Sequence, residues 1–264
     1  MRCVIVIPCY NEEENIKLLI PAIDKVLNGY MPYQIIAVND GSNDRTGEIL
    51  KALSEKYPIK VVEHKSNKGL ATAIKTGLTK AIEYTSDSDL IITMDGDNTH
   101  DPKYIPCLAE KSKKADIVIS SRYIKGGRQL GVPLYRVILS RGLNLLTRLL
   151  VGIPVKDATS GYRCYKASAL KKAMKFFGEK FIESQGFEAL FEILVKTYWC
   201  NRKISEIPNT LDYGKKIGKS KIKLVLTMLG YLNLLRKVCL WRVSGVPKVE
   251  DSHTLQSFKR IRRS

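Results

Sequence analysis

The segment "IITMDGDNTHDP", residues 91–102, ends an apolar burst on two aspartates one residue apart, with a histidine and a third acid close behind. Two carboxylates held that close repel, so the arrangement calls for a counter-charge, and a divalent cation is the first candidate. Mg²⁺ and Mn²⁺ favour carboxylate and water oxygens and often complete their shell with substrate phosphates. Asp101 reads differently. It precedes Pro102, a residue suited to the first position of a helix, and is read as a cap.

Two further acid-bearing clusters, "PCYNEEE" (8–14) and "NDGSNDRT" (39–46), also follow apolar runs. Those runs, "CVIVIP", "YQIIAVND" and "DLIITMD", are continuous and β-branched, as expected of strands buried on both faces. Between them lie "EENIKLLIPAIDKVL", "TGEILKALSEKY" and "GLATAIKTGLTKAIEYT", each with apolar residues at helical spacing. Strand and helix in turn predict an α/β fold, a mostly parallel sheet with helices on both faces. Ligands bind such sheets off the carboxyl ends of the strands, where all three clusters fall. Beyond Tyr123, helices are expected over 131–154 and 184–199, a lysine-loaded loop over 205–223, and one or two amphipathic helices from about Ile222.

With 44 Lys and Arg against 26 Asp and Glu, the chain carries +18, which implies an anionic partner. Nucleic acid fits poorly: the basic residues are not interleaved with exposed aromatics, and no nucleic-acid motif appears. The six cysteines are scattered without metal-ligand spacing and read as reduced thiols. The apolar run in "MRCVIVIPCYNEEEN" is too short for a signal-peptide core. The longest uncharged apolar stretch, Leu224 to Leu235, falls below the roughly 18 residues of a spanning helix.

Taken in order, "IPCYNEEENI", "VNDGSNDRT", "NKGLATAIKTGL", "MDGDNTHDP", "SRY", "SRGLNLLTRLL", "DATSGYRCY" and "GKSK" resemble the family 2 glycosyltransferases of the GT-A fold. Within them the chain looks most like the dolichol-phosphate mannose synthases and related polyprenyl-phosphate glycosyltransferases. The likeness covers roughly residues 3–225. Two departures stand out: Asn39 replaces the first of a usual acid pair, and Thr99 stands where some members offer Gln to a metal.

The resemblance implies a GT-A catalytic domain over 1–221 and a helical extension with a basic tail over 222–264. It implies an inverting, metal-dependent transfer of a hexose, mannose from GDP-mannose being favoured, onto dolichyl or another polyprenyl phosphate. Asp95, Asp97 and Thr99 would hold Mg²⁺ or Mn²⁺, and Asp95, Asp97 and Arg122 are the catalytic candidates. Pro8, Tyr10, Glu12, Val38, Asp40 and Gly96 would bind the nucleotide sugar, together with Arg122, Lys215 and Lys221. Arg141 and Arg163 are assigned to the acceptor phosphate. Such a phosphate is dianionic near neutral pH and attacks without a protein base, so cations matter more than a histidine. The alternative within enzymes transfers a sugar from a UDP-sugar to a glycan hydroxyl, which needs a base, with Asp157 or Glu188 as candidates.

Two basic stretches, Leu134 to Leu150 and Lys223 to Trp241, suit helices lying in a membrane interface. The expectation is a cytoplasmic protein held peripherally to the cytoplasmic face of a membrane, the endoplasmic reticulum or a prokaryotic plasma membrane. The second stretch would insert Leu226, Leu229 and Trp241, or dock onto a small membrane-anchoring subunit.

Overall fold

The computed structural model describes residues 1–218 and 224–244. The first half alternates as its hydrophobic pattern requires: β1 (Cys3–Cys9), α1 (Glu13–Leu27), β2 (Tyr33–Asn39), α2 (Thr46–Ser54), β3 (Ile59–Glu63), α3 (Leu70–Glu83) and β4 (Leu90–Thr93). Then come α4 (Ile105–Ser112), β5 (Ile117–Ser121), β6 (Arg128–Leu130), α5 (Leu134–Val151), β7 (Arg163–Lys166) and α6 (Ala167–Phe177). The chain continues through α7 (Glu188–Asn201), β8 (Ile204–Pro208), β9 (Thr210–Asp212) and α8 (Leu224–Ser244).

Seven strands form one sheet in the order β3-β2-β1-β4-β7-β5-β8. β7 runs antiparallel to β4 and β5, and the other pairings are parallel. β6 and β9 form a separate parallel pair. Alternate residues of each strand feed opposite layers. Val4, Val6, Ile36 and Val38 join the core beneath α3 and α7, while Ile5, Ile7, Ile35 and Ala37 join the one beneath α1 and α4. Asp101 accepts from Lys103 N–H at 3.1 Å and opens the short 3₁₀ turn Pro102–Tyr104, as its place before proline predicted. All six cysteines are free thiols.

Two expectations change. Residues 205–223, read as a loop, contribute to β8 and supply β9. α8 is one continuous helix and is not amphipathic: Tyr231, Leu234, Leu235 and Val238 enter the core, while Val225, Leu226, Leu229, Leu232 and Leu240 are exposed. Apolar side chains therefore lie on both sides of it. Its window Leu224–Trp241 is long and apolar enough to cross a membrane by length and composition, because the run counted on to Trp241 contains only two charges, the adjacent Arg236 and Lys237. Trp241 itself turns inward and meets the Trp199 ring edge-on at 6.2 Å.

The helix-to-sheet contact is tightest at Gly77 of α3, where an added Cβ would lie 2.4 Å from Val6 Cγ1. Alanine there would gain about 1 kcal/mol in helix propensity but cost about 1–3 kcal/mol in overpacking. We therefore expect Gly77→Ala to lower stability in urea unfolding; a more stable variant would contradict this packing.

Candidate active site

The carboxyl ends of β1, β2 and β4 open on a cavity of about 1030 Å³. Asp95, Gly96 and Asp97 line it where β4 ends. The turn that follows places Asn98 at φ 62°, a left-handed conformation that asparagine tolerates. It brings Thr99 back, so that its N–H and hydroxyl both donate to Asp97 Oδ1, at 3.2 and 2.7 Å. Asp97 Oδ2 accepts from Lys216 Nζ at 2.6 Å.

Asp95 is fixed through its main chain. Its N–H donates to His100 Nδ1 at 3.0 Å, leaving His100 Nε2 3.6 Å from Asp95 Oδ2. The imidazole is buried and stacked on Tyr162 with centroids 4.9 Å apart. At Gly161 an added Cβ would press on Leu190 Cδ1 at 3.0 Å and reach only ordinary contact, 3.5 Å, with Asp95 Oδ1. Gly96 lines the cavity and also packs tightly against the first strand. A Cβ would come within 2.9 Å of the Pro8 carbonyl oxygen, so the glycine lets β4 exit against β1.

The two carboxyls are pushed apart. Partial withdrawal from water raises Asp95, with the Asp97 charge adding to the effect. Burial also opposes ionisation of Asp97, but the Lys216 ammonium and the hydrogen bonds from Lys216 and Thr99 hold it below the usual carboxylate range. The donor set is oxygen-only, and a cation already sits on one of its oxygens. Both facts fit a hard divalent ion. Among the described residues no cluster of three or more acidic, histidine or cysteine side chains could hold a metal by itself, so water or substrate oxygens would have to complete the shell of such an ion.

Pro8, Tyr10, Glu12 and Asp40 line the cavity as expected. Glu12 Oε2 accepts from Asn15 Nδ2 at 2.6 Å. Asp40 is committed to shaping the loop after β3: it lies 2.6 Å from His64 Nδ1 and accepts from Lys68 and Gly69 N–H at 3.0 and 2.8 Å. Val38 is a correction. Its side chain is wholly buried in the core and does not line the cavity.

The cations divide more sharply. Arg122 lines the cavity and is clamped by buried Asp157, Nε to Oδ2 at 2.8 Å and Nη2 to Oδ1 at 2.6 Å. Its Nη2 also donates to Thr159 Oγ1 at 2.7 Å, and Ser140 joins through Thr159. Burial would disfavour the Asp157 charge, but the guanidinium outweighs it and holds the carboxyl below its ordinary range. Asp157 is thus a structural counter-ion, not a free base.

Arg163 is fully buried, donating to the carbonyls of Leu190 and Ala158 (the latter at 2.7 Å) and to Tyr165 OH. It braces the chain beneath the cavity and does not line it, against the acceptor-phosphate assignment. Arg141 is exposed, its guanidinium 5.6 Å from the Tyr123 ring centroid, and also lies off the cavity. Lys215 pairs outside with Asp101 at 2.8 Å. Lys221 lies outside the described residues.

Sequence reasoning missed Lys216, Arg136 and His100, which all line the cavity. Arg136 Nη1 donates to Tyr213 OH at 3.2 Å. Lys216 and Arg136 were neighbours of named motifs with no spacing signal of their own. His100 carried one, at three residues past Asp97. Away from the strand ends, the cavity wall becomes apolar, with Leu139, Leu143, Leu224, Met228 and Tyr231 from α5 and α8.

Fold and cavity define an α/β protein whose strand ends carry carboxylates and cations around one cleft. The glycosyl transferase family 2 model matches residues 4–174. A dolichol-phosphate mannosyltransferase of Pyrococcus furiosus is 36% identical over 91% of the chain, which spans 64% of that relative's length. An undecaprenyl-phosphate mannosyltransferase of Micrococcus luteus is 30% identical over 84% of the chain and 88% of its own length. The fold also matches glucosyl-3-phosphoglycerate synthase of Mycobacterium tuberculosis, solved with Mn²⁺, UDP and phosphoglyceric acid. That match has a TM-score of 0.60 and 21% identity, covering 96% of this chain and 80% of the other. The chain belongs to glycosyl transferase family 2 and has its GT-A fold.

Removing the charge of Asp157 strands the Arg122 guanidinium, so Asp157→Asn should cost on the order of 3 kcal/mol at neutral pH. Because folding depresses this carboxyl, its stabilisation is present above the unfolded value near ~4 and is lost as pH falls through the folded value. Urea titrations at pH 7 and pH 3 should show the gap between wild type and variant narrowing in acid. A constant gap would contradict the assignment.

Proposed function

We propose that the protein transfers a mannosyl group from a nucleotide-activated donor, GDP-mannose, to a polyprenyl phosphate, with inversion. The observation that carries this reading is the two-part lining of the cavity. Carboxylates and cations line it at the ends of β1, β2 and β4, and Leu139, Leu143, Leu224 and Met228 of α5 and α8 extend it as an apolar wall. A substrate pair consisting of a sugar diphosphate and a lipid phosphate has the same division. The names of the two mannosyltransferase relatives agree with it.

Asp95 and Asp97 would hold Mg²⁺ or Mn²⁺, which supplies Lewis-acid stabilisation of the departing diphosphate. Tyr10 and Glu12 are the nearest candidates for the nucleoside, offering a flat ring and an acceptor. Arg122 and Arg136 take the part first given to Arg141 and Arg163, holding the acceptor phosphate against the donor. The phosphate oxygen attacks the anomeric carbon as the bond to the diphosphate breaks, and no protein group need remove a proton.

Transfer to a glycan hydroxyl remains a second reading because Glu188 lines the cavity. It accepts Gly186 N–H at 3.1 Å, which suits a loop-holding role. Under the phosphate-acceptor reading Glu188→Gln keeps most of the turnover. A fall of about 10³-fold with unchanged substrate binding would favour a general base instead. The defining experiment is a panel of GDP-mannose, UDP-glucose and UDP-N-acetylglucosamine with a short polyprenyl phosphate, read by thin-layer chromatography. GDP-mannose is expected to give the lipid product, and product only from a UDP-sugar would overturn the donor assignment.

The same reading brings the protein to a membrane, at its cytoplasmic face. α5 exposes Leu134, Ile138, Leu145 and Leu149, and α8 exposes Val225, Leu226 and Leu229. A patch of that kind beside exposed Arg141, Arg148, Arg236 and Lys237 suits an anionic lipid surface, with or without a small anchoring subunit. Residues 1–221 would then be the catalytic unit and 222–264 its lipid-facing extension. Because the inner face of α8 belongs to the core, substitution tests this better than truncation. Val225→Ser/Leu229→Ser should reduce flotation with anionic liposomes, at least at high salt, without altering nucleotide binding, since neither side chain lines the cavity. Undiminished flotation at both low and high salt would remove α8 from the contact.

A further inference from the structure

Lys216 stands in a segment that is fastened at several points. Asn15, buried on α1, accepts Ile217 N–H at 3.0 Å and donates to the Ile217 carbonyl at 2.9 Å. Lys215 is tied to Asp101 at 2.8 Å, and Asp212 Oδ1 accepts Gly214 N–H at 2.9 Å. Upstream, β9 is held by its pairing with β6. The segment therefore crosses the mouth of the donor end as a strap, and its one inward cation is set on Asp97 with both side chains mostly shielded, 12% and 16% exposed.

That contact completes the bonding of Asp97. One oxygen takes two donors from Thr99 and the other takes the lysine, so an incoming metal ion meets a carboxylate already neutralised. Two cations do not share one carboxylate oxygen at 2–3 Å separation without strong repulsion. A metal must therefore displace Lys216, and the displaced ammonium needs a new anion within its reach. Glu12 is close enough to act on it electrostatically, but that acid already accepts from Asn15. A nucleoside diphosphate entering beside Asp95 and Asp97 would bring the missing negative charge.

We propose that Lys216 is a resident cation of the Asp95–Asp97 site, which makes binding of the divalent ion and of the nucleoside diphosphate a coupled event. Alone, the metal competes with the lysine. With the diphosphate, the lysine moves from Asp97 to the phosphate oxygens and the competition ends. By linkage, the nucleotide must raise metal affinity by the same factor as the metal raises nucleotide affinity. This inference rests on the metal–nucleotide reading above.

The test is titration of Mn²⁺ by electron paramagnetic resonance, with and without GDP or UDP, on wild type, Lys216→Met, Lys216→Arg and Asp97→Asn. Wild type should bind Mn²⁺ at least about tenfold more tightly with nucleotide than without it. Lys216→Met should bind Mn²⁺ alone about tenfold more tightly than wild type and show a smaller nucleotide enhancement, while Lys216→Arg follows wild type. Equal affinity of wild type and Lys216→Met for Mn²⁺ alone overturns the proposal, as does a wild type indifferent to nucleotide. Asp97→Asn separates the two levels. If it binds Mn²⁺ and nucleotide like wild type, the metal reading itself fails; if it loses both while Lys216→Met matches wild type, only the role of Lys216 fails.

Discussion

Asp95 and Asp97 sit one residue apart at the end of a strand buried on both faces, and their repulsion has to be balanced by something. Much of the surrounding structure is arranged around that need. The sheet order puts β4 beside β1, so the turn after β4 meets the loop that carries Tyr10 and Glu12. Asn98 accepts a left-handed conformation, which lets Thr99 return both its donors to Asp97. His100 holds the Asp95 main chain and is itself held by Tyr162. Lys216 supplies a positive charge from more than a hundred residues away. Together they hold both carboxylates at the wall of one cavity.

A second balance governs the opposite wall. Arg122 is held by a bidentate carboxylate in the interior, so its cost of desolvation is met before any substrate arrives. A guanidinium fixed in this way presents its remaining face to a phosphate with little entropy left to lose. Buried Arg163 applies the same chemistry to scaffolding, where backbone carbonyls of Ala158 and Leu190 replace the anion. The two arginines occupy similar motifs in the chain. Only their surroundings distinguish a cation that lines the cavity from a brace.

That contrast marks the limit of what was legible in the sequence. Continuous β-branched runs and helical spacing identify β1, β2 and β4 with the helices α1, α2 and α3 between them, and α1 was read with the bounds it has, Glu13–Leu27. The Asp95–Asp97 pair and its place at a strand end were legible because charge repulsion and strand burial are local properties. Lys216 was not legible, because which of two adjacent lysines turns inward depends on how Asn15 grips Ile217. Arg163 was misplaced because its burial is decided by neighbours distant in the chain, whereas Val38 was assigned by the resemblance although its own run already read as a buried strand. β8 and β9 are short and sit among lysines and glycines, so their strand character comes from pairing with β5 and β6 and not from their own pattern.

The proposed function requires one cavity to hold both anions, a nucleoside diphosphate at the strand ends and a lipid phosphate beside Arg122 and Arg136. Phosphorus-31 relaxation measures this directly, with Mn²⁺ as the paramagnetic centre and GDP and a short polyprenyl phosphate bound together. The account predicts strong broadening of both GDP phosphorus signals and a weaker, Mn²⁺-dependent relaxation of the lipid phosphorus that disappears in Asp97→Asn. A lipid phosphorus signal that Mn²⁺ leaves unchanged while the GDP signals broaden would contradict it.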